Sequence, residues 1–162
     1  MEKFRHFKID GKGRLIFGGK DIETLINEYG TPTYFYDVDF IETIAQSYKK
    51  AYEITKVNGA PSYASKAFSA KEIYRIINRL GLHCDVVSGG ELYTALSVGF
   101  PAERIFFHGN NKTSEELNFA VKNSVGIIVV DSFEEVEELS AIAEKNSKIQ
   151  KVMVRVNPGI EA

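Results

Sequence analysis

The apolar positions change period along the chain, and the change divides it. From Ser62 onward, short apolar runs recur every 21 to 25 residues, with strand starts expected near Ser62, Cys84, Ile105, Gly126 and Lys151. The intervening stretches carry apolar residues at helical spacing: Ile73, Ile76, Ile77 and Leu80, then Leu92, Ala95 and Leu96, then Phe133, Val136 and Leu139. Ser69-x-x-Glu72, Thr113-x-x-Glu116 and Ser132-x-x-Glu135 have the form of a capping box at a helix start. Ile127 to Val130 and Val152 to Val154 are continuously apolar, as parallel strands buried on both faces should be. Strand and helix in alternation predict βαβ units with right-handed crossovers.

The first part reads differently. Phe4, Phe7 and Ile9 alternate up to a turn at Asp10 to Gly13, and Leu15-Ile16-Phe17 runs into Gly18-Gly19, which predicts a small hairpin. Asp21 is placed to cap a short helix ended at Gly30, and Thr33 to Tyr36 reads as an aromatic-rich strand. A helix from Asp37 or Asp39 to about Lys56 has its stripe at Ile41, Ile44, Ala45, Tyr48, Ala51 and Tyr52.

Two α/β architectures fit: a doubly wound open sheet or a (β/α)8 TIM-type barrel. Neither a G-x-G-x-x-G run nor a P-loop is present, and the regular period favours the barrel. Five strands cannot close an eight-stranded barrel, and three further units would need roughly 65–75 residues. The expectation is therefore the first five βα units of a barrel, in a chain that is cut short.

Composition narrows the class. The 162 residues are 44% hydrophobic and 26% charged, the pattern of a globular protein, and a net charge of −2 gives no reason to expect nucleic acid as a partner. No apolar run approaches the ~20 residues that span a bilayer, and the charged N-terminus lacks an apolar signal core. The single Cys84 excludes an intrachain disulfide and suits a reducing cytoplasm.

Candidate chemistry collects where strands give way to helices. Lys66 stands at such a turn, where ligands bind in α/β folds, and a partly desolvated lysine there can lose its proton and attack a carbonyl. The other strand ends supply Asp85 to Ser88, His108 to Asn111, Asp131, and Arg155 with Asn157. Each has a plainer alternative. Lys66 can be a solvated loop lysine, Asp85 a structural acceptor, His108 a packed or capping residue, and Asp131 a turn residue. Ser88-Gly89-Gly90-Glu91 can cradle a phosphate or simply begin a helix. Arg155, directed into a barrel, needs an anionic partner. His6 and His83 carry no context, and no cluster has metal-ligand spacing.

Five segments in order resemble diaminopimelate decarboxylases, in the alanine-racemase-like barrel (fold-type III) class of pyridoxal-phosphate enzymes. They are Gly30-Thr-Pro-Thr-Tyr-Phe-Tyr-Asp37, Tyr63-Ala-Ser-Lys-Ala67, Cys84-Asp-Val-Val-Ser-Gly-Gly-Glu-Leu92, Phe107-His-Gly-Asn-Asn-Lys-Thr113 and Arg155-Val-Asn-Pro-Gly159. The last favours this family over ornithine decarboxylases and alanine racemases. The resemblance covers nearly all of residues 15–162 and departs locally at Phe68, where many relatives carry Asn.

What the resemblance implies is pyridoxal 5'-phosphate held by Lys66, with Asp85, His108 and Arg155 at the cofactor and Asn110 at the mouth. The implied reaction is decarboxylation of meso-2,6-diaminopimelate to L-lysine, by a cytoplasmic homodimer acting on a small amino acid. In this reading residues 1–36 belong with a C-terminal β domain and 37–162 form an incomplete cofactor-binding barrel. The family's later histidine, glycine-rich loop, Cys-containing segment and substrate-binding tyrosine are not among these residues, so the chain alone is expected to be inactive and poorly folded. Two other readings stand beside this one: a related decarboxylase of another basic amino acid, and a non-catalytic cofactor-binding or regulatory relative.

Overall fold

The computed structural model describes residues 7–159, in two compact units divided between Gly59 and Ala60. Phe4 and His6 lie outside the described residues.

In the first unit the expected hairpin forms from β1 (Phe7–Ile9) and β2 (Leu15–Phe17), antiparallel with Phe7 opposite Phe17 and Ile9 opposite Leu15. The two phenylalanine rings lie 5.1 Å apart. Asp10 closes the turn by accepting from the backbone N–H groups of Lys12 and Arg14. Gly18-Gly19 then turns the chain into a third short strand, β3 (Lys20–Asp21), beside β2. Asp21 also caps α1 (Ile22–Tyr29), its carboxylate accepting from Glu23 N. The strand expected over Thr33 to Tyr36 is not formed: this stretch is irregular up to Asp37, which caps α2 (Val38–Thr55) through Phe40 N. A strand exists only through a partner, and aromatic propensity supplied none. Along α2 only Ala45 of the expected stripe is buried.

The second unit is one five-stranded parallel sheet, β4 (Ser62–Ala64), β5 (His83–Val86), β6 (Ile105–Phe107), β7 (Ile127–Val130) and β8 (Val152–Val154), whose spatial order is its chain order. Four helices connect them: α3 (Lys71–Arg79), α4 (Gly89–Ser97), α5 (Ser114–Lys122) and α6 (Phe133–Lys145). When every right-handed crossover steps the same way, every helix falls on one face, which is the winding of a barrel wall and not of a doubly wound sheet. Burial agrees. Cys84, Val86, Ile105, Phe107, Ile128 and Val130 are buried against Tyr74, Ile77, Leu92, Leu117 and Val121. Each of the larger side chains contributes about 1.5–3 kcal/mol of burial. The opposite face presents Ala64, Asp85, Phe106, Ile127 and Met153, less covered or open, and the buried Val129 beside Met153.

Three expectations are corrected. β8 is not buried on both faces, since Val152, Met153 and Val154 are exposed on this edge of the described sheet. Phe133, at 87% exposure, is no core residue of α6; Leu139 alone of its stripe is buried. The Ser69 capping box is absent as well. Ala70 is the cap residue of α3, and the Ser69 hydroxyl pairs with the buried Tyr74 hydroxyl at 2.8 Å instead.

Candidate functional site

The open face of the sheet ends at a cavity of about 470 Å³, lined by Ala64, Lys66, Asp85, Val87, His108, Gly109, Asn110 and Arg155. Lys66, Asp85, His108 and Arg155, the four residues that the resemblance puts at the cofactor, are all in it, with Asn110; Asp131 and Asn157 do not line it. They arrive from four different strand ends because the sheet is parallel and every C-terminus points the same way. A second depression of about 480 Å³ in the first unit is lined by Tyr29, Tyr34 and Tyr36 with Asp37, whose carboxylate is committed to the α2 cap. It lacks the histidine and arginine that distinguish the strand-end cavity.

Lys66 lies on a single 3₁₀ turn, Ser65–Ala67, directly after β4. In such a turn neighbouring side chains diverge: Ser65 is fully buried while Lys66 is exposed to the cavity. Lys66 is exposed among the described residues, on the face of the sheet that the helices leave open. Strand alternation puts Asp85 on the cavity side, opposite in direction to the buried Cys84 and Val86. Its Oδ1 accepts from Ser62 Oγ at 2.6 Å and lies 3.8 Å from His108 Nε2. Arg155, one residue past β8, finds the anionic partner it needs in Asp131, 3.6 Å from Nη1 to Oδ1. Asp131 thus does more than make a turn. Asn157 is elsewhere: its Oδ1 accepts from Gly159 N in a local turn. His83 shares the Asp85 face one row below, its ring 5.4 Å from Phe106, and burial, with the Arg104 charge, pushes its pKa down against Asp85.

A repeated bracket holds the loops around this cavity. Glu91, Glu116 and Glu135 each stand three residues after a helix cap, at Ser88, Thr113 and Ser132. Each glutamate accepts from a backbone N–H of its own loop: Val87 N at 2.8 Å, Thr113 N at 2.9 Å and Asp131 N at 3.1 Å. Each also reaches back one βα unit, to Ser65 Oγ at 2.6 Å, Gly89 N at 2.6 Å and Lys112 Nζ at 2.7 Å.

The second of these decides the reading of Ser88-Gly89-Gly90. Gly89 N is taken by Glu116, so it is not a free donor for a phosphate, and a Cβ on Gly89 would meet Glu116 Cγ at 2.9 Å. Burial opposes the Glu116 charge, but the hydrogen bonds from Thr113 and Gly89 outweigh it and hold its pKa below the usual carboxylate value. In the third, Lys112 is 1% exposed and Glu135 10%, and Nζ donates also to the carbonyls of Gly109 and Val129 at 2.6 and 2.8 Å. That ties down the loop bearing His108 and Asn110. Gly109 within it has φ +108° and would place a Cβ 2.9 Å from Val87 O, so the loop's path needs glycine.

Sequence reasoning missed Glu91, Lys112 and Glu135. The recurring Glu three residues past each cap was visible, but the capping box explains it fully within one helix, and the contact to the preceding unit leaves no local signature.

Residues 38–162 match the family described as pyridoxal-dependent decarboxylase, pyridoxal binding domain. Diaminopimelate decarboxylase of Bacillus subtilis (strain 168) is 47% identical over 150 residues, 93% of this chain and 34% of that protein. That of Halalkalibacterium halodurans is 44% identical over 155 residues, 96% of this chain and 35% of that protein. The crystal structure of diaminopimelate decarboxylase from M. jannaschii in complex with L-lysine superposes with a TM-score of 0.86 at 31% identity, covering 99% of this chain and 38% of that one. The chain spans about a third of the length of the curated relatives it matches.

Proposed function

The chain belongs to the pyridoxal-dependent decarboxylase family, and from that premise we propose that its protein removes carbon dioxide from meso-2,6-diaminopimelate to give L-lysine. The observation that carries this is the convergence of Lys66, Asp85, His108 and Arg155 on one cavity at the strand ends. The donor set suits pyridoxal 5'-phosphate: a primary amine for its aldehyde, a guanidinium for an anion, and a carboxylate and an imidazole for ring or substrate nitrogen. The cavity volume is within the ~300–1,000 Å³ of small-molecule sites.

Lys66 would hold the aldehyde carbon, and Asp85, His108 and Arg155 would line the group. When bound, the cofactor supplies an electron sink for the pair left behind as the carboxylate departs. The chain's own part is positioning and proton handling. Ser62 fixes the Asp85 carboxylate through its 2.6 Å bond, so a cationic nitrogen brought to that side meets a preset negative charge. His108 Nε2 stands on the cavity rim 3.8 Å from that carboxylate, so imidazole and carboxylate face a bound group from the same side. Arg155 keeps its guanidinium at the cavity against Asp131.

The cofactor domain is taken as 37–162, with 1–36 as a segment that packs elsewhere in the whole protein. No described helix is long and apolar enough to cross a membrane, and Cys84 is a buried free thiol. Both fit the proposed cytoplasmic location. The homodimer rests on the family resemblance and is checked by light scattering. The test of function is borohydride trapping with pyridoxal phosphate followed by peptide mapping, together with lysine release from meso-diaminopimelate. Label on the Lys66 peptide, lost in Lys66→Ala, is expected; label spread over surface lysines would refute it.

A further inference from the structure

Ser65 is the one polar residue that is fully buried among the described residues, and it immediately precedes Lys66. A buried hydroxyl is costly unless bonded, and this one donates to Glu91 Oε2 at 2.6 Å, a short, charge-assisted bond. The same carboxylate oxygen accepts from Val87 N, so it is anchored on the adjacent strand end and not free to follow Ser65. The turn bearing Lys66 has no side-chain cap of its own and no acidic residue in it. It is three residues long, and Phe68 N donates to Ser65 O at its close. A turn this short has little intrinsic stability, so an external tie decides where its outward residue points.

We infer that Ser65 and Glu91 form a positioning pair, holding the 3₁₀ turn so that Lys66 faces the cavity. The inference rests on the reading of Lys66 as the cofactor lysine. Glu91 acts through Ser65 and the backbone and need not touch the cofactor. The fully buried Tyr74 hydroxyl pairs with Ser69 and also interacts with Ser65, and Tyr63 OH donates to Phe68 O just past the turn; among these ties Glu91 is the one that brings a charge.

The test is the rate at which limiting pyridoxal phosphate becomes borohydride-trapped on the Lys66 peptide, relative to other lysine peptides. Far-UV circular dichroism and melting are measured alongside. Ser65→Ala is expected to slow labelling of Lys66 selectively by about tenfold, the factor equivalent to about 1.4 kcal/mol, with the fold intact. Glu91→Ala should do the same. Glu91→Gln, which keeps an oxygen for both donors, should restore most of the rate. The double variant Ser65→Ala/Glu91→Ala should be no slower than Glu91→Ala, since the Ser65–Glu91 bond is already gone in either single change. Unaltered labelling in Ser65→Ala, or additive losses in the double variant, would overturn the inference. If Glu91→Ala does not fold, Ser65→Ala and Glu91→Gln decide it alone. Absence of label on Lys66 in the unaltered protein would overturn the cofactor assignment, and this inference with it.

Discussion

Lys112→Met tests the bracketed mouth most directly. Methionine matches the lysine stem in length and apolar character, so packing against the Phe107 ring, 5.7 Å from Nζ, is largely kept and the charge alone goes. What remains is Glu135 at 10% exposure, its Oε1 buried with no aligned hydrogen-bond donor, and the carbonyls of Gly109 and Val129 without their donor. Removing one member of a buried ion pair costs about 3–5 kcal/mol because the other charge stays behind. Against the 5–15 kcal/mol that holds an ordinary domain together, that is a large fraction. With urea slopes of about 1–3 kcal/mol/M, the midpoint should fall by about 2 M. Far-UV circular dichroism is the probe, the chain having no tryptophan. Lys112→Met/Glu135→Leu, which removes both charges, should recover more than half of the loss. A single variant within 1 kcal/mol of the parent, or a double variant no better than the single, would refute the argument that the unpaired charge carries the cost.

Two further outcomes follow from titration. Cys84 is fully buried, and burial, aided by the charges of Asp85 and Glu91, pushes its thiol up to about 12. It should resist a thiol reagent at pH 8 in the native protein and react after denaturation; native labelling at a free-thiol rate would contradict this. The pKa of Glu116 is lowered in the fold from its ordinary value of 4.5, so the stability it contributes is present above that value and lost as pH falls through the folded one. The Gly89 and Thr113 amides, protected at neutral pH, should therefore lose hydrogen-exchange protection under acid before those of β6, and Glu116→Gln should flatten that dependence.

The strand positions were legible because each run, such as Ile127 to Val130, is short, apolar and bounded by polar turns, and the structure begins each within one residue of the expected place. The cavity residues were legible for the same reason: a parallel sheet gathers whatever follows its strands. Three things were not. Phe133 sits at the correct helical spacing, yet only its neighbours in space decide burial, and none covers it on α6. Ser69 has the cap sequence, but the Tyr74 hydroxyl, five residues on, competes for it. Asp131 looks like any turn aspartate until Arg155 is brought to it from 24 positions further along the chain.

The backward reach of Glu91, Glu116 and Glu135 has a consequence for recombination between homologues. Each strand-end loop carries one half of its own clasp, and the other half sits on the helix that follows the next strand. A crossover placed inside a helix, the usual choice because loops are assumed to travel intact, leaves the donor's loop facing a foreign glutamate. A crossover just before a strand separates the same two halves. Chimaeras of these barrels should therefore tolerate exchange of helix backs freely, while the mouth transfers only in pairs of adjacent units.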